Sequence, residues 1–330
     1  MNAAVITTSG GPDVLEIRDV PRPAPSAEEV LVRVHASALN RADLLQRRGR
    51  YPAPPGSPAD IPGIEFAGEI VELGAAVRSW RTGQRVFGLV GGGAQAEYLV
   101  THARTIAEIP DGLSWTDAAA VPEAFITAHD ALVTQAELRT SERVLIHAVA
   151  SGVGLAAVQL VRAMSAIPYG TSRTPAKIDR TREYGIEDGL VLGGDLRPLM
   201  ERAREWSNGD GMDIVLELVG GAYVSASLAT LSTRGRLILI GTMAGASTEL
   251  DLGVVLRNRL RIIGTALRSR PLEEKIAATR AFAAQVVPLL ARGVVRPVVD
   301  SVFPLEEIRA AHERLESNET VGKVVVSGER

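Results

Sequence analysis

The segment RVLIHAVASGVGLAAVQLVRAM, residues 143–164, limits the possible folds of this chain more than any other. An apolar strand-like run from Arg143 to Val149 passes through a turn of small residues straight into an amphipathic helix. The downstream sequence repeats the pattern. IPYG, GLVL, MDIVLELV, RLILIG and RLRIIGTAL read as strands, and AKIDRTREYG, LRPLMERAREW and AYVSASLATL read as helices between them. Strands that are apolar throughout and alternate with helices predict a parallel sheet covered on both faces. The chain is therefore expected to be α/β, with a doubly wound domain and one more helix from Pro271 to Ala291.

The first 120 or so residues have a different texture. AAVITT, EVLVRVHASAL, FAGEIVELG, QRVFGLV and AEYLV are short β-like runs separated by glycine and proline clusters, which predicts a twisted, mostly antiparallel lobe. RRGRYPAPPGSPADIPG is a proline-rich loop suited to a pocket wall. The closing stretch from VVRPVVDSVFP to VGKVVV resembles the first lobe again and is expected to fold back onto it. The expected division is residues 1–122 with 292–330, and residues 123–291.

Composition excludes several classes. A net charge of −3 gives no basic excess for a nucleic-acid backbone. The absence of cysteine removes disulfides, thiolate nucleophiles and thiolate zinc sites, and suits a reducing compartment. No apolar run is long enough for a membrane span, and the start lacks a signal-peptide pattern, so the expected address is the cytosol.

Val149-Ala150-Ser151-Gly152-Val153-Gly154 occupies the slots of a G-x-G-x-x-G fingerprint, of which only the third glycine is kept. Gly154 permits close helix packing, while Gly152, Val153 and the small Ser151 leave backbone N–H groups open to a pyrophosphate at a helix N-terminus. A plain βα turn is the competing reading, and Val149 has no explanation at this level. About 20 residues on, where a carboxylate would hold the ribose of NAD, the chain reads Gly170-Thr171-Ser172-Arg173-Thr174-Pro175-Ala176-Lys177. Ser172, Arg173 and Lys177 suit a 2′-phosphate instead, which points to NADPH.

HASALNRADLLQRRGRYPAPPG, GIEFAGEIVELG, AAAVPEAFITAHDAL, the 143–160 segment and VGKVVV together resemble the zeta-crystallin-type quinone oxidoreductases of the medium-chain dehydrogenase/reductase superfamily, nearest to the tumour-suppressor-inducible subgroup. The resemblance implies a GroES-like β-barrel catalytic domain beside a Rossmann domain, with the cofactor in the cleft between them. It also implies a homodimer joined through a Rossmann edge strand, here Leu260 to Ala266. Zinc-dependent relatives carry Gly-His-Glu, whereas this chain has Gly63-Ile64-Glu65, so no metal is expected and Glu65 reads as a buried or cleft-lining carboxylate.

By the same resemblance, Tyr51 and Asn40 are the catalytic candidates and lie by the nicotinamide. Tyr51 can donate to the acceptor oxygen, or merely pack on its prolines. Asp43 can cap a helix, and Thr127 is either a cofactor contact or a cap. Val219, Gly241, Thr242 and Met243 follow Rossmann strands and are expected at ribose or nicotinamide. Leu267, Arg268 and Lys323 resemble further cofactor positions. Leu192 stands where relatives place a tyrosine near the adenine. His35, His102, His129, His147 and His312 are scattered and read as structural.

The expected activity is NADPH-dependent, metal-free hydride transfer to quinones or related enones. The cofactor carries the difficult step, and the protein supplies proximity, a dry pocket and a donor to the developing oxyanion. An enoyl-thioester or alkenal reductase uses the same chemistry. A crystallin-like nucleotide-binding protein with little catalysis is the alternative outside enzymes.

Overall fold

Six strands form one wholly parallel sheet, in the spatial order Asp188–Val191, Ile167–Ser172, Arg143–Ile146, Met212–Glu217, Leu231–Leu239 and Arg261–Gly264. In chain order this is 3-2-1-4-5-6, the doubly wound arrangement expected from the strand–helix alternation. The central strands are apolar on both faces because both are covered: Leu145, Val215, Leu216, Leu237 and Ile238 are fully buried. The order reverses between Arg143–Ile146 and Met212–Glu217, and connections diverge there, leaving a crevice at the strands' carboxyl ends.

The computed structural model describes residues 1–328, and contacts divide the chain into two compact units. One is Thr127–Ala266 and holds the parallel sheet; the other comprises Met1–Ile126 and the chain from Leu267 onward. The sequence reading set its boundaries after residues 122 and 291, so residues 123–126 and 267–291 fall here with the first unit.

That first unit is built on a seven-stranded sheet running Val299–Pro304, Lys323–Ser327, Glu29–Ala38, Glu65–Leu73, Arg85–Leu89, Ile106–Glu108, with Tyr98–His102 also paired to Glu29–Ala38. Pairing is antiparallel except between the two last strands of the chain. Register breaks in Glu29–Ala38 after Leu31 and after Val34 bend the sheet around Val30, Val32, Phe66, Ile70 and Val86. The closing strand pairs Val325 with Ala38 and Val326 with Ser37, which brings Lys323 beside Asn40.

Three local expectations need correction. The helix expected from Pro271 to Ala291 is two helices, Leu272–Gln285 and Val287–Ala291, because Pro288 lacks an N–H and restarts the helix after Val286. The strand expected over Arg143–Val149 stops at Ile146, since Ala148 takes a left-handed φ of 47°. Helix Leu252–Asn258 was not foreseen; Asp251 caps it by accepting from Gly253 and Val254 N–H.

Packing across the sheet accounts for Val149. It is fully buried, and a Cβ placed on Gly170 of the neighbouring strand would lie 2.6 Å from the Val149 Cβ. The room that the fingerprint obtains from a glycine in the first slot is thus supplied across the sheet by Gly170. Gly170→Ala is expected to lower stability by about 1–3 kcal/mol through overpacking, and Val149→Gly in the same chain should recover part of it. Denaturant unfolding of the two single variants and the double variant measures the coupling; strictly additive losses would refute the contact.

Candidate active site

In the parallel-sheet unit, Ser151 is the N-cap of helix Gly152–Ala163, accepting from Gly154 N–H at 3.1 Å. Ser151 N–H is bonded to Ala148 O and Leu155 N–H to Ser151 O. The amides of Gly152 and Val153 remain at the open helix end, where an anion is favoured. A Cβ on Gly154 would come within 2.5 Å of Val149 O, so glycine alone lets the helix sit against the turn. At the end of Ile167–Ser172, Ser172 is buried, Arg173 exposed and Lys177 half-buried.

Beneath these loops lies a buried polar network that sequence reasoning missed. Glu217, fully buried, accepts from Val219 N–H at 2.9 Å and Gly220 N–H at 3.0 Å through Oε1, and from Ser227 Oγ at 2.9 Å through Oε2. Because the Ser227 proton goes to the carboxylate, Ser227 Oγ must accept from His147 Nε2, 2.8 Å away. His147 Nδ1 then accepts from Thr171 Oγ1 at 2.7 Å. Burial lowers the His147 pKa against the opposing pull of Glu217, which agrees with a neutral ring. The signal available in sequence was a glutamate closing an otherwise apolar strand.

The network fixes the turn at residues 218–220. Val219 N–H is held by Glu217 and Val219 O by Ala244 N–H, so the turn carries the loop that contains Gly241, Thr242 and Met243. Gly220 has a φ of 79°, and a Cβ there would lie 2.6 Å from the Thr242 Cα. Thr242 and Met243 are exposed. Tyr223, half-buried, sets its ring edge-on to His147 at 5.1 Å, and its phenol pKa is raised by burial and Glu217 while Arg173 opposes. Leu192, one residue past strand Asp188–Val191, is buried in the core with Leu145, Tyr169 and Leu199. Thr127 is the sixth residue of helix Pro122–His129 and so does not cap it.

In the other unit, Glu65 organises a cluster. Its Oε1 accepts from Asn40 Nδ2 at 2.7 Å and Lys323 Nζ at 2.6 Å, and its Oε2 accepts from Glu123 N–H at 2.7 Å. Lys323 Nζ donates also to Leu39 O at 2.8 Å and to Asn40 Oδ1. All three ammonium hydrogens are thereby committed, so Lys323 positions Asn40 rather than offering a donor of its own. Asn40 begins helix Arg41–Arg47, and Asp43 accepts its N–H at 2.7 Å, the capping role foreseen as one option. The second Asp43 oxygen takes Gly63 N–H at 2.9 Å.

Arg268 latches the proline-rich loop. Nε and Nη2 donate to Gly91 O at 2.9 and 2.7 Å, Nη1 donates to Tyr51 O at 3.3 Å, and Nη2 also reaches Gln46 Oε1. The guanidinium stands 4.9 Å from the Tyr51 ring centroid, which leaves the half-exposed phenol at the far end of a held ring. Leu267 and Arg268 line a small, partly open cavity with Ile64, Val90, Glu123 and Lys275. Among the described residues no group of three or more His, Asp or Glu is arranged to hold a metal.

Residues 26–111 match the alcohol dehydrogenase GroES-like domain family, and residues 192–326 match the zinc-binding dehydrogenase family. The quinone oxidoreductase of Lama guanicoe is 32% identical over 99% of this chain and 97% of its own. The chain belongs to the quinone oxidoreductase family of the medium-chain dehydrogenase/reductase superfamily. It is an oxidoreductase of α/β fold, with a GroES-like domain and a Rossmann domain. The Pseudomonas aeruginosa quinone oxidoreductase is 33% identical, with 96% of both chains covered. Among solved structures, Escherichia coli quinone oxidoreductase complexed with NADPH superposes with a TM-score of 0.88 at 28% identity, covering 99% of this chain and 100% of that one.

Burial raises the Asp43 pKa to about 6, against the lowering effect of its two backbone hydrogen bonds and of Lys323 and Arg268. A carboxyl raised in the folded state stabilises below its unfolded pKa of 3.8, and that contribution is lost as pH rises through about 6. Relative to Asp43→Asn, the unmodified protein should therefore gain stability between pH 7 and pH 5, by on the order of 1–2 kcal/mol. The neutral buried histidines act in the opposite sense but cancel in this difference. Chemical unfolding of both proteins across that range measures it, and a pH-independent difference would contradict the assignment.

Proposed function

We propose that the protein is an NADPH-dependent quinone reductase that transfers hydride to quinones or related electron-poor enones without a metal. The observation that carries the cofactor choice is the end of strand Ile167–Ser172, which presents Ser172, Arg173 and Lys177 and no carboxylate, following a capped helix whose first amides are open. The loop suits a dinucleotide pyrophosphate: Ser151 removes the Gly154 amide from competition, and Gly152 brings no side chain above the helix end. The structure of the Escherichia coli relative, and that of a mycobacterial relative at 27% identity and a TM-score of 0.89 over 99% of this chain and 100% of that one, contain NADPH.

When bound, NADPH supplies the hydride, so the protein needs no nucleophile of its own. Asn40 is held by Glu65 and Lys323 with its amide fixed in both senses, and we assign it to the nicotinamide pocket. Tyr51, its ring held by Arg268, is assigned as a donor to the acceptor oxygen. Zinc does not suit this site. Ile64 stands where zinc-dependent relatives have histidine, and both oxygens of Glu65 already accept from nearby donors, one of them an ammonium. Quinone oxidoreductases among the relatives support a quinone acceptor.

We further propose a homodimer through strand Arg261–Gly264, the edge of the parallel sheet, together with helix Leu252–Asn258. Leu252 and Leu256, 72% and 78% exposed, sit one turn apart on that helix, and Ile262 of the edge strand is 42% exposed. A second copy of the chain covers such an edge and its apolar flank together.

Steady-state assays with NADPH and NADH test the cofactor assignment. Replacing Arg173 and Lys177 by alanine should raise the KM for NADPH about tenfold to a hundredfold and leave that for NADH nearly unchanged; equal effects would remove the 2′-phosphate reading. Quinones should be reduced faster than enoyl thioesters, and turnover of the thioester alone would overturn the acceptor class. Leu256→Asp should convert a dimer to a monomer in size-exclusion chromatography with light scattering, and an unchanged mass would reject this interface.

A further inference from the structure

Tyr223 ends in a hydroxyl that the parallel-sheet unit holds in place and does not itself use. Its half-buried ring meets the His147 imidazole edge-on at 5.1 Å and packs against the cluster that contains Leu145, Val215 and Leu228. His147 lies one residue beyond strand Arg143–Ile146, and Tyr223 is the second residue of helix Ala222–Leu228, which follows strand Met212–Glu217. The ring contact therefore bridges the two strand ends between which the sheet order reverses, where open α/β sheets place their ligands.

Both the main chain and the ring of Tyr223 are tied to Glu217. Glu217 holds the amides of Val219 and Gly220, and the left-handed Gly220 and Gly221, at φ 79° and 57°, turn the chain so that Tyr223 N–H donates to Gly220 O at 3.2 Å. The ring rests on an imidazole that Ser227 and Thr171 lock at both nitrogens, and Ser227 in turn donates to Glu217. Every polar group beneath the phenol is thus committed, and among the described residues the hydroxyl has no hydrogen-bond partner. Burial and Glu217 raise its pKa, so at neutral pH it is a protonated donor. The cation that opposes them is Arg173, two residues beyond the Thr171 that bonds the same imidazole.

We propose that Tyr223 is a cofactor-binding residue that recognises the 2′-phosphate of NADPH, its phenol donating to a phosphate oxygen beside the Arg173 guanidinium. The proposal rests on the NADPH reading above and adds to Ser172, Arg173 and Lys177 a donor from a different strand end. A phosphate is the ligand that gains from both neighbours. The guanidinium supplies charge, and the neutral phenol supplies a directed hydrogen bond of the stronger, charge-assisted class. Arg173 is exposed, whereas the tyrosine ring is already immobilised by its packing and loses little freedom on binding. A ribose hydroxyl, as in NADH, offers the guanidinium no charge to meet.

Tyr223→Phe keeps the ring and removes the oxygen alone, so packing on His147 and the melting temperature should be unchanged. Calorimetric titration of the full chain with adenosine 2′,5′-bisphosphate, and with adenosine 5′-monophosphate, reads the contact without turnover. The unmodified protein should bind the bisphosphate more tightly than the monophosphate. Tyr223→Phe should weaken the bisphosphate about tenfold and leave the monophosphate within about twofold. The KM for NADPH should rise in step with the bisphosphate Kd while kcat is unchanged. Equal weakening of both nucleotides, or no weakening of the bisphosphate, would overturn the assignment. Arg173→Ala separates this outcome from the reading beneath it: if that variant loses bisphosphate affinity and Tyr223→Phe does not, the NADPH reading stands and Tyr223 is rejected. An unmodified protein that does not prefer the bisphosphate would overturn the NADPH reading and the tyrosine contact together.

Discussion

The buried carboxylate of Glu65 holds together four stretches of chain that are remote in sequence. It sits on a central strand of the first unit with no exposure, a position that a lone charge cannot occupy at tolerable cost. The cost is met by an ammonium from the closing strand, an amide from the start of helix Arg41–Arg47 and a backbone N–H from the start of helix Pro122–His129. Each donor is thereby fixed. The requirement explains why the chain must return at Lys323–Ser327, why residue 40 is an amide able to donate and accept at once, and why residue 323 is a cation whose three hydrogens have three destinations. Removing one partner from such a set leaves a buried charge uncompensated, which is worth several kcal/mol.

The parallel-sheet unit uses the same device with different residues. Glu217 closes an apolar strand and, being fully buried, recruits Ser227 and the two amides of the following turn. The consequence runs outward: once the serine proton is committed, the imidazole of His147 has one tautomer, and Thr171 one hydroxyl orientation. Side chains from three neighbouring strand ends and one helix are locked together beneath loops that remain open. In both units the backbone nearest the proposed chemistry is held by a carboxylate below it, so the open groups are rigid although they sit on turns.

Much of this architecture was readable in one dimension. Parallel strands announce themselves as unbroken apolar runs, and Ser151-Gly152-Val153-Gly154 announces a helix start with small residues where a backbone must approach a ligand. Local rules failed where local pattern and three-dimensional environment part. Helix Leu252–Asn258 carries its leucines outward, so no inward apolar stripe marked it. The partners of Glu65 lie tens to hundreds of residues away, and no spacing rule reaches that far.

Val149 shows how a fingerprint can be kept in function while being lost in letters. A dinucleotide fingerprint needs room at the turn, a free helix end and close packing of that helix, and glycine is one means of meeting each need. Here the packing requirement still falls on Gly154, which tolerates no Cβ against Val149 O. The room at the turn is supplied by Gly170, one strand across, so the valine fills space that would otherwise be a void. Ser151 in the second slot adds a cap that consumes the Gly154 amide and leaves two others for the ligand. The requirement is therefore distributed over a helix residue, a residue one strand across and a cap, and a substitution at any one of them has to be judged against the other two.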